Sequence, residues 1–380
     1  MSRVFKIIRS STVPQSLDTF CKGLLKELSE DYDVIALSSP GEALDLVGRR
    51  EGVRTIAVPM ERHISLLKDL KSLFSLIRVF RTEKPDMVHS MTPKAGLLCM
   101  LAAWMTRVPV RIHTFTGLIF PTSTGLKKRI LMLTDKITCA CATHVIPEGE
   151  GVKNDLINNK ITRKPLKVLG YGNVRGVDME YYSRRPEVEG RAEVIRNDNW
   201  FSFLFVGRIV RDKGINELVS AFSKLNVEYP KTRLFLVGDY ENKLDPLDAS
   251  TKNEIQHNVN IISVGRKAGN DLLAYYAASD CFVFPSYREG FPNTVLEAGA
   301  MGLPCIVTDI NGSREIIKEG FNGLIVPSHD ADALYEAMRR VMENSEEREA
   351  MASIARGHIA SHYEQSFVRQ CLFDFYKAVL

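Results

Sequence analysis

The 380-residue chain has no run of about 18 apolar residues, the least that a membrane-spanning helix needs. Its opening, MSRVFKIIRSST, reads as a strand and a polar turn and lacks the apolar centre of a secretory leader. A cytosolic protein is therefore expected. The seven cysteines are scattered, mostly through apolar stretches, without a Cys-x-x-Cys pair, which argues for reduced thiols in the core and against a disulfide framework or a zinc site. There is no internal repeat and no low-complexity tract. No basic run is interleaved with aromatic residues, so nucleic acid is not an expected partner. Gly170-x-Gly172 is followed by NVRGVDME instead of a third glycine opening an apolar helix, and the dinucleotide-binding fingerprint is discarded.

What remains is a soluble globular composition, 45% hydrophobic and 25% charged. A chain of this length exceeds one ordinary core, and two domains of about 150 to 200 residues are expected. The net charge of +4 conceals an asymmetry: through Asn173 there are 26 Lys+Arg against 16 Asp+Glu, and beyond it 24 against 30. The basic first half points to an anionic partner, and without a nucleic-acid signature a phospholipid surface is preferred.

Short apolar strands alternate with helical stretches. Val4 to Ile8, Asp33 to Leu37 and Thr55 to Val58 read as strands, Gln15 to Leu28 and Ser65 to Arg81 as helices. The second helix carries Leu66, Leu70, Leu73, Phe74, Ile77 and Phe80 at helical period, and packing on a sheet is preferred to contact with a membrane. This alternation marks an α/β protein with doubly wound parallel sheets, in which ligands bind beyond the carboxyl ends of the strands.

The most informative stretch is Cys281 to Pro327. A buried strand, CFVF, breaks at Pro285 and runs through an acidic loop into a short helix from about Thr294 to Met301, with Asn293 as the expected N-cap and Gly302 as the stop. The free N–H groups at that helix start suit diphosphate oxygens. Carboxylates beside an anion site would repel phosphate if aimed at it, so Glu289 and Glu297 are expected to accept hydrogen bonds from neighbouring sugar hydroxyls. Upstream, the strand FLFVG leads into Arg208 and Lys213 on one strand-to-helix loop, two cations able to neutralise a diphosphate leaving group.

Glu-x7-Glu within EGFPNTVLEAGAMGLPCI resembles the signature of the retaining family-4 glycosyltransferases of the GT-B fold, and the likeness extends over nearly the whole chain. It implies two doubly wound Rossmann-like domains facing a central cleft: 1–173 on the acceptor side, with the helix of about 365–380 packing back on it, and 174–364 binding the nucleotide sugar. The GNVRGVD segment resembles the family's interdomain hinge. The resemblance assigns Glu289, with Gly290, Phe291, Asn293 and Thr294, to the donor sugar and diphosphate, and Glu297 to the ribose. GRxxxxKG matches the diphosphate clamp, Arg208 and Lys213, and the backbone at Gly265 and Arg266 falls where relatives contact the base. His113, ending VRIH, falls where relatives place a histidine at the reaction centre. HSMTPKAG resembles the acceptor-side loop of capsule and exopolysaccharide transferases and nominates Thr92 and Lys94 as acceptor contacts. Many relatives carry a glycine pair after the first strand; here Arg9-Ser10-Ser11-Thr12-Val13-Pro14-Gln15 stands instead, with Ser11 and Thr12 able to offer hydroxyls.

Leu118 to Leu133 combines apolar residues with Lys127, Lys128 and Arg129 at a helix start, and Phe120 lies just upstream. Apolar insertion together with attraction to anionic headgroups is what peripheral membrane contact requires. The expected activity is transfer of a sugar from a nucleoside diphosphate donor, UDP favoured, to a hydroxyl of a polyprenyl-diphosphate-linked saccharide at the cytoplasmic face of the inner membrane. No cofactor or divalent metal is expected, on the reading that the chain has no Asp-x-Asp motif to hold a metal on the diphosphate and that side-chain cations supply the charge. A GT-B sugar-nucleotide epimerase and a non-catalytic partner in a synthase complex are the alternatives.

Overall fold

The computed structural model describes residues 3–61, 65–241 and 245–380. The chain forms two compact units, one of Met1–Gly176 with Ser366–Leu380, the other of Val177–Gln365. Both are doubly wound and Rossmann-like.

The first unit contains β1 (Lys6–Ser10), β2 (Asp33–Ser38), β3 (Arg54–Ala57), β4 (Met87–Met91), β5 (Val110–Phe115) and β6 (His144–Pro147) in the spatial order β3-β2-β1-β4-β5-β6. The second contains β7 (Phe201–Val206), β8 (Thr232–Val237), β9 (Ile261–Gly265), β10 (Cys281–Phe284), β11 (Cys305–Thr308) and β12 (Gly323–Val326) in the order β12-β11-β10-β7-β8-β9. All these pairings are parallel. Helices cover both faces of such sheets, which is why DVIALS, FSFLFV and CFVF are almost continuously buried and read as apolar runs with no alternation. Strand order reverses between β1 and β4 and again between β7 and β10. Crossovers leave in opposite directions there and open a crevice at the carboxyl ends.

Under the second crevice the rings of Phe205 and Phe284 stack across β7 and β10, 5.8 Å apart at 12°. Phe203, Phe205 and Phe282 are fully buried, each burial stabilising the unit by roughly 1.5–3 kcal/mol.

Two helices differ from the sequence reading. The expected Gln15–Leu28 helix is two, Pro14–Cys21 and Leu24–Asp31, because Gly23 between them adopts φ 75°, a left-handed turn that an α-helix cannot continue through. The Leu66–Glu83 helix packs on the core through Leu76, Ile77 and Phe80, but Leu66, Leu70 and Phe74 lie on its exposed side. The helical period holds, but of the six expected residues only Leu73, Ile77 and Phe80 pack inward, because the apolar residues cover more of the helix than one buried stripe. Phe120 is fully buried and belongs to the core, not to a surface anchor.

The terminal helix, Gln365–Val379, buries Val368, Leu372, Phe375 and Tyr376, and the last three join Ile7, Leu17 and Leu25 in the first unit's core. Before the chain leaves that unit, Asn173 takes φ 64° and its Oδ1 accepts the N–H groups of Arg175 and Gly176 at 2.9 and 2.7 Å. Among the described residues no helix is long and apolar enough to cross a membrane.

Candidate functional site

In the second unit the loops leaving β7 and β10, the two strands at the reversal point, are locked together. Gly214 ends the 3-10 turn Arg211–Lys213 at φ 69°, and a Cβ there would lie 2.0 Å from the Pro285 carbonyl oxygen. Only glycine permits both the turn and the approach. Asp212 accepts from the Tyr287 N–H through its carbonyl at 2.9 Å, and its carboxylate pairs with Arg288 at 3.1 Å.

The approach brings Lys213 and Glu289 together as an ion pair, with the Ser286 hydroxyl donating to the same Glu289 oxygen at 2.7 Å. The Lys213 ammonium lies 5.4 Å from the centroid of the Phe284 ring. Both partners of the pair are mostly covered, 15% and 16% exposed, so their attraction is screened less than that of a surface pair. Arg208, on the same loop, is half exposed and pairs with Glu241 at 2.6 Å.

The helix after the acidic loop runs Asn293–Ala300, with Pro292 and not Asn293 at the N-cap position. Proline fixes the φ needed there and has no side-chain acceptor for the first-turn N–H groups. Asn293 and Thr294 are the first helical residues, and Gly302 at φ 80° follows the helix end. Glu297 is 6% exposed, and its carboxylate accepts from the buried Tyr276 hydroxyl at 3.2 Å. Burial and the adjacent Glu297 push that phenol well above its usual pKa. The Phe291 ring is buried against Tyr363, 5.5 Å between centroids, so what Gly290 and Phe291 present to a ligand is backbone. Gly265 closes β9 at φ 68°, two strands outward from β7, and Arg266 beside it is exposed. Contrary to that expectation, Asp-x-Asp spacings do occur, at Asp31–Asp33 and Asp330–Asp332; Asp33 opens β2 in the first unit, and Asp330 caps the Ala331–Glu343 helix next to His329, whose ring packs on Tyr287 of the loop after β10, 3.6 Å between centroids.

In the first unit the carboxyl ends of β4 and β5 hold a buried polar cluster. His113 is 1% exposed, its Nδ1 lies 2.8 Å from the Ser90 hydroxyl, and its ring meets Phe115 edge-on at 4.5 Å. Burial lowers its pKa to about 3, so the imidazole is neutral at ordinary pH. Gly96 leaves room for this ring: a Cβ there would lie 2.3 Å from His113 Cε1. Beside it His89 bonds the Tyr376 hydroxyl at 2.6 Å and the Thr114 hydroxyl at 2.7 Å, and Arg9 donates to Tyr376 at 2.7 Å and to His89. This cluster borders a cavity of about 20 Å³ that Glu148 and Asn173 also line, room for about one water.

Thr92 holds φ 72° and ψ 143°, uncommon for a β-branched residue. Its hydroxyl accepts from the Thr12 N–H at 3.0 Å and lies 2.8 Å from the Thr12 hydroxyl, which also accepts from Ala95 N–H. The Ser11 hydroxyl donates to the Val13 carbonyl within the turn, and the Thr12 hydroxyl is taken up by Thr92 and the Ala95 N–H, so both hydroxyls of the segment that replaces the glycine pair are already engaged. Lys94 is the second residue of the Pro93–Met105 helix and pairs with Asp69. Lys127, Lys128 and Arg129 are the third to fifth residues of the Gly125–Cys141 helix, where Lys127 and Arg129 are exposed and Lys128 is half-buried.

Sequence reasoning missed Ser286, Tyr276, Asp69, Ser90, Gly96 and the Arg9–His89–Tyr376 cluster. Ser286 carried a signal, since it follows Pro285 at the end of a strand already singled out, and His89, Ser90 and Gly96 stand within the HSMTPKAG motif from which only Thr92 and Lys94 were nominated.

Comparison with known proteins bears on the family and the fold. Residues 189–358 match the family described as Glycosyl transferases group 1, and 18–172 match the Glycosyl transferase 4-like domain. The chain is 32% identical to the capsular polysaccharide biosynthesis glycosyltransferase CapM of Staphylococcus aureus, over 99% of this chain and 97% of that protein. It is also 32% identical to the UDP-Gal:alpha-D-GlcNAc-diphosphoundecaprenol alpha-1,3-galactosyltransferase of Escherichia coli, over 83% and 81% of the two chains. The Anabaena protein Alr3699/HepE in complex with UDP has the same fold, with a TM-score of 0.82 at 16% identity over 98% of this chain and 100% of that one.

Proposed function

The chain belongs to the group 1 glycosyl transferases, with the GT-B fold, and on that premise we propose a retaining, metal-independent transfer of a hexose-type sugar from a nucleoside diphosphate, UDP favoured. The acceptor is a hydroxyl of a polyprenyl-diphosphate-linked saccharide in capsule, exopolysaccharide or related glycan assembly. The enzyme works peripherally at the cytoplasmic face of the inner membrane, with Lys127, Lys128 and Arg129 contacting anionic lipid.

One observation carries the reading. Lys213, Glu289, Ser286 and an N-terminal helix turn without a side-chain cap from Pro292 converge at the carboxyl ends of β7 and β10. Diphosphate oxygens would take the ammonium and the helix N–H groups, which leaves the Glu289 carboxylate for sugar hydroxyls. Arg208 and Lys213 then meet charge that grows as the leaving group departs. Glu297 accepts from the ribose, and the backbone at Gly265 and Arg266 meets the base. His113 offers a neutral imidazole to the transferred sugar, and Thr92 and Lys94 hold the acceptor. The name of the Escherichia coli relative supports both the donor and the acceptor, and the UDP complex of the Anabaena protein supports the donor base.

The test is incubation with UDP-sugars and an undecaprenyl-diphosphate-linked saccharide in the presence of a chelator, with the new anomeric linkage read by NMR. Transfer with an α-configured donor giving an α-linkage is expected. Release of an epimerised free sugar, or dependence on added manganese, would overturn the corresponding part.

A further inference from the structure

We propose that the first two turns of the Leu66–Glu83 helix are a second membrane-docking surface whose occupant is an anionic phospholipid bilayer. Leu66, Leu67, Leu70 and Phe74 there are 76%, 82%, 50% and 66% exposed. Leu66, Leu70 and Phe74 recur every four residues and form one ridge. Lys71 and Arg78, both exposed, follow Leu67 and Phe74 by four and border it. The opposite side is occupied by Ser72, Leu76, Ile77 and Phe80 in the core, so the ridge is apolar surface beyond what the fold uses.

Charge selects the occupant. Residues 65–141, which make up this helix, the Pro93–Met105 helix, the Gly125–Cys141 helix and their connections, carry 12 Lys+Arg against 4 Asp+Glu. A second copy of the same surface would be repelled, whereas an anionic bilayer accepts both the leucines and the charge. The Pro93–Met105 helix packs against the other two. All three begin beyond the carboxyl ends of β3, β4 and β5. The outer two expose apolar residues near their starts, Leu66, Leu67 and Leu70 on one side, Leu126, Ile130 and Leu133 on the other. Lys94 begins the helix between them and is tied to the first turn of the docking helix by Asp69 at 2.6 Å. A surface seated through both outer helices puts Lys94 at headgroup depth, where the diphosphate of a lipid-linked acceptor lies. That last step rests on the acceptor proposed above; the docking itself does not.

The test is cosedimentation of the full chain with phosphatidylglycerol/phosphatidylcholine vesicles and with phosphatidylcholine vesicles alone. The wild type is expected to bind the anionic vesicles. Leu66→Ser/Leu67→Ser/Leu70→Ser should weaken that binding roughly tenfold or more, and Lys71→Glu/Arg78→Glu should reduce it on anionic vesicles selectively. Thermal stabilisation by UDP should persist in both variants, since exposed positions are changed. Wild-type vesicle binding by the triple-serine variant would overturn the proposal. So would a wild-type dimer that this variant converts to monomer, which would assign the ridge to a second copy. Vesicle binding without UDP stabilisation in the wild type would sink the donor reading and leave docking standing.

Discussion

The Lys94 ammonium sits 2.6 Å from each carboxylate oxygen of Asp69, with the two side chains only 10% and 18% exposed. Asp69 Oδ2 also accepts the Ser65 N–H at 3.2 Å, so one carboxylate both ties the helix start and holds the lysine. An acceptor diphosphate reaching Lys94 must compete with it. Lys94→Ala should raise the acceptor KM roughly 10- to 100-fold, the loss of one charge-assisted hydrogen bond, and leave the donor KM alone. Asp69→Asn keeps an oxygen for Ser65 and removes the competing charge, so the acceptor KM should fall. Initial rates against each substrate decide this, and a rise with Asp69→Asn would make the aspartate an aligner of Lys94 instead.

Arg208→Ala and Lys213→Ala should each lower kcat by about two orders of magnitude, or roughly 3 kcal/mol, because their partner's charge grows in the transition state. Lys213→Ala also leaves Glu289 without the cation that holds it. Glu289→Gln should be comparably slow while UDP binding, read by thermal shift, persists. Near-normal turnover in both cation variants would remove the leaving-group argument.

Both sheets were legible because strands buried on two faces read as uninterrupted apolar runs, and Lys213 and Glu289 were legible because they stand in strand-end loops. Partnerships across the sequence were not. Asp69 and Lys94 are ordinary charges 25 positions apart, and only the packing of two helices makes them a pair. Arg9, His89 and Tyr376 meet because the last helix lies on the first sheet; the family resemblance implies that packing, but no local pattern encodes which side chains it brings together. The Leu66–Glu83 helix shows the converse limit: periodicity places residues on a helix, but with more apolar positions than one buried stripe needs, it cannot choose the inward face.

His113 makes stability depend on acid. Its folded pKa of about 3 lies below the ordinary 6.5, so between those values the unfolded chain binds a proton that the folded one refuses. Stability is complete above pH 6.5 and falls as pH drops, by about 1.4 kcal/mol per pH unit from this residue alone. His89, lowered by burial and by Arg9, acts in the same direction. Asp135 acts oppositely: burial raises its pKa to about 7, so its contribution is lost as pH rises toward that value. Urea unfolding at pH 5 and 7 should therefore show a smaller acid-side loss in His113→Gln than in the wild type, with the other two groups common to both. Equal losses would mean that the histidine takes up its proton in the folded state.

Gly96 and His113 offer the sharpest test of the first unit. An alanine methyl would lie 2.3 Å from Cε1 and 2.8 Å from Nδ1 of the ring, so the imidazole must swing away from Ser90. Overpacking of this kind costs about 1–3 kcal/mol, and Gly96→Ala should lower Tm accordingly. If His113 touches the transferred sugar, kcat should fall about tenfold or more with UDP binding unchanged. Gly96→Ala/His113→Ala separates the two effects, because removing the ring frees space for the methyl. The double variant should regain the stability lost by Gly96→Ala and should not regain turnover, a non-additivity expected of residues in contact. Turnover recovered together with stability would show that the glycine and the histidine serve packing alone.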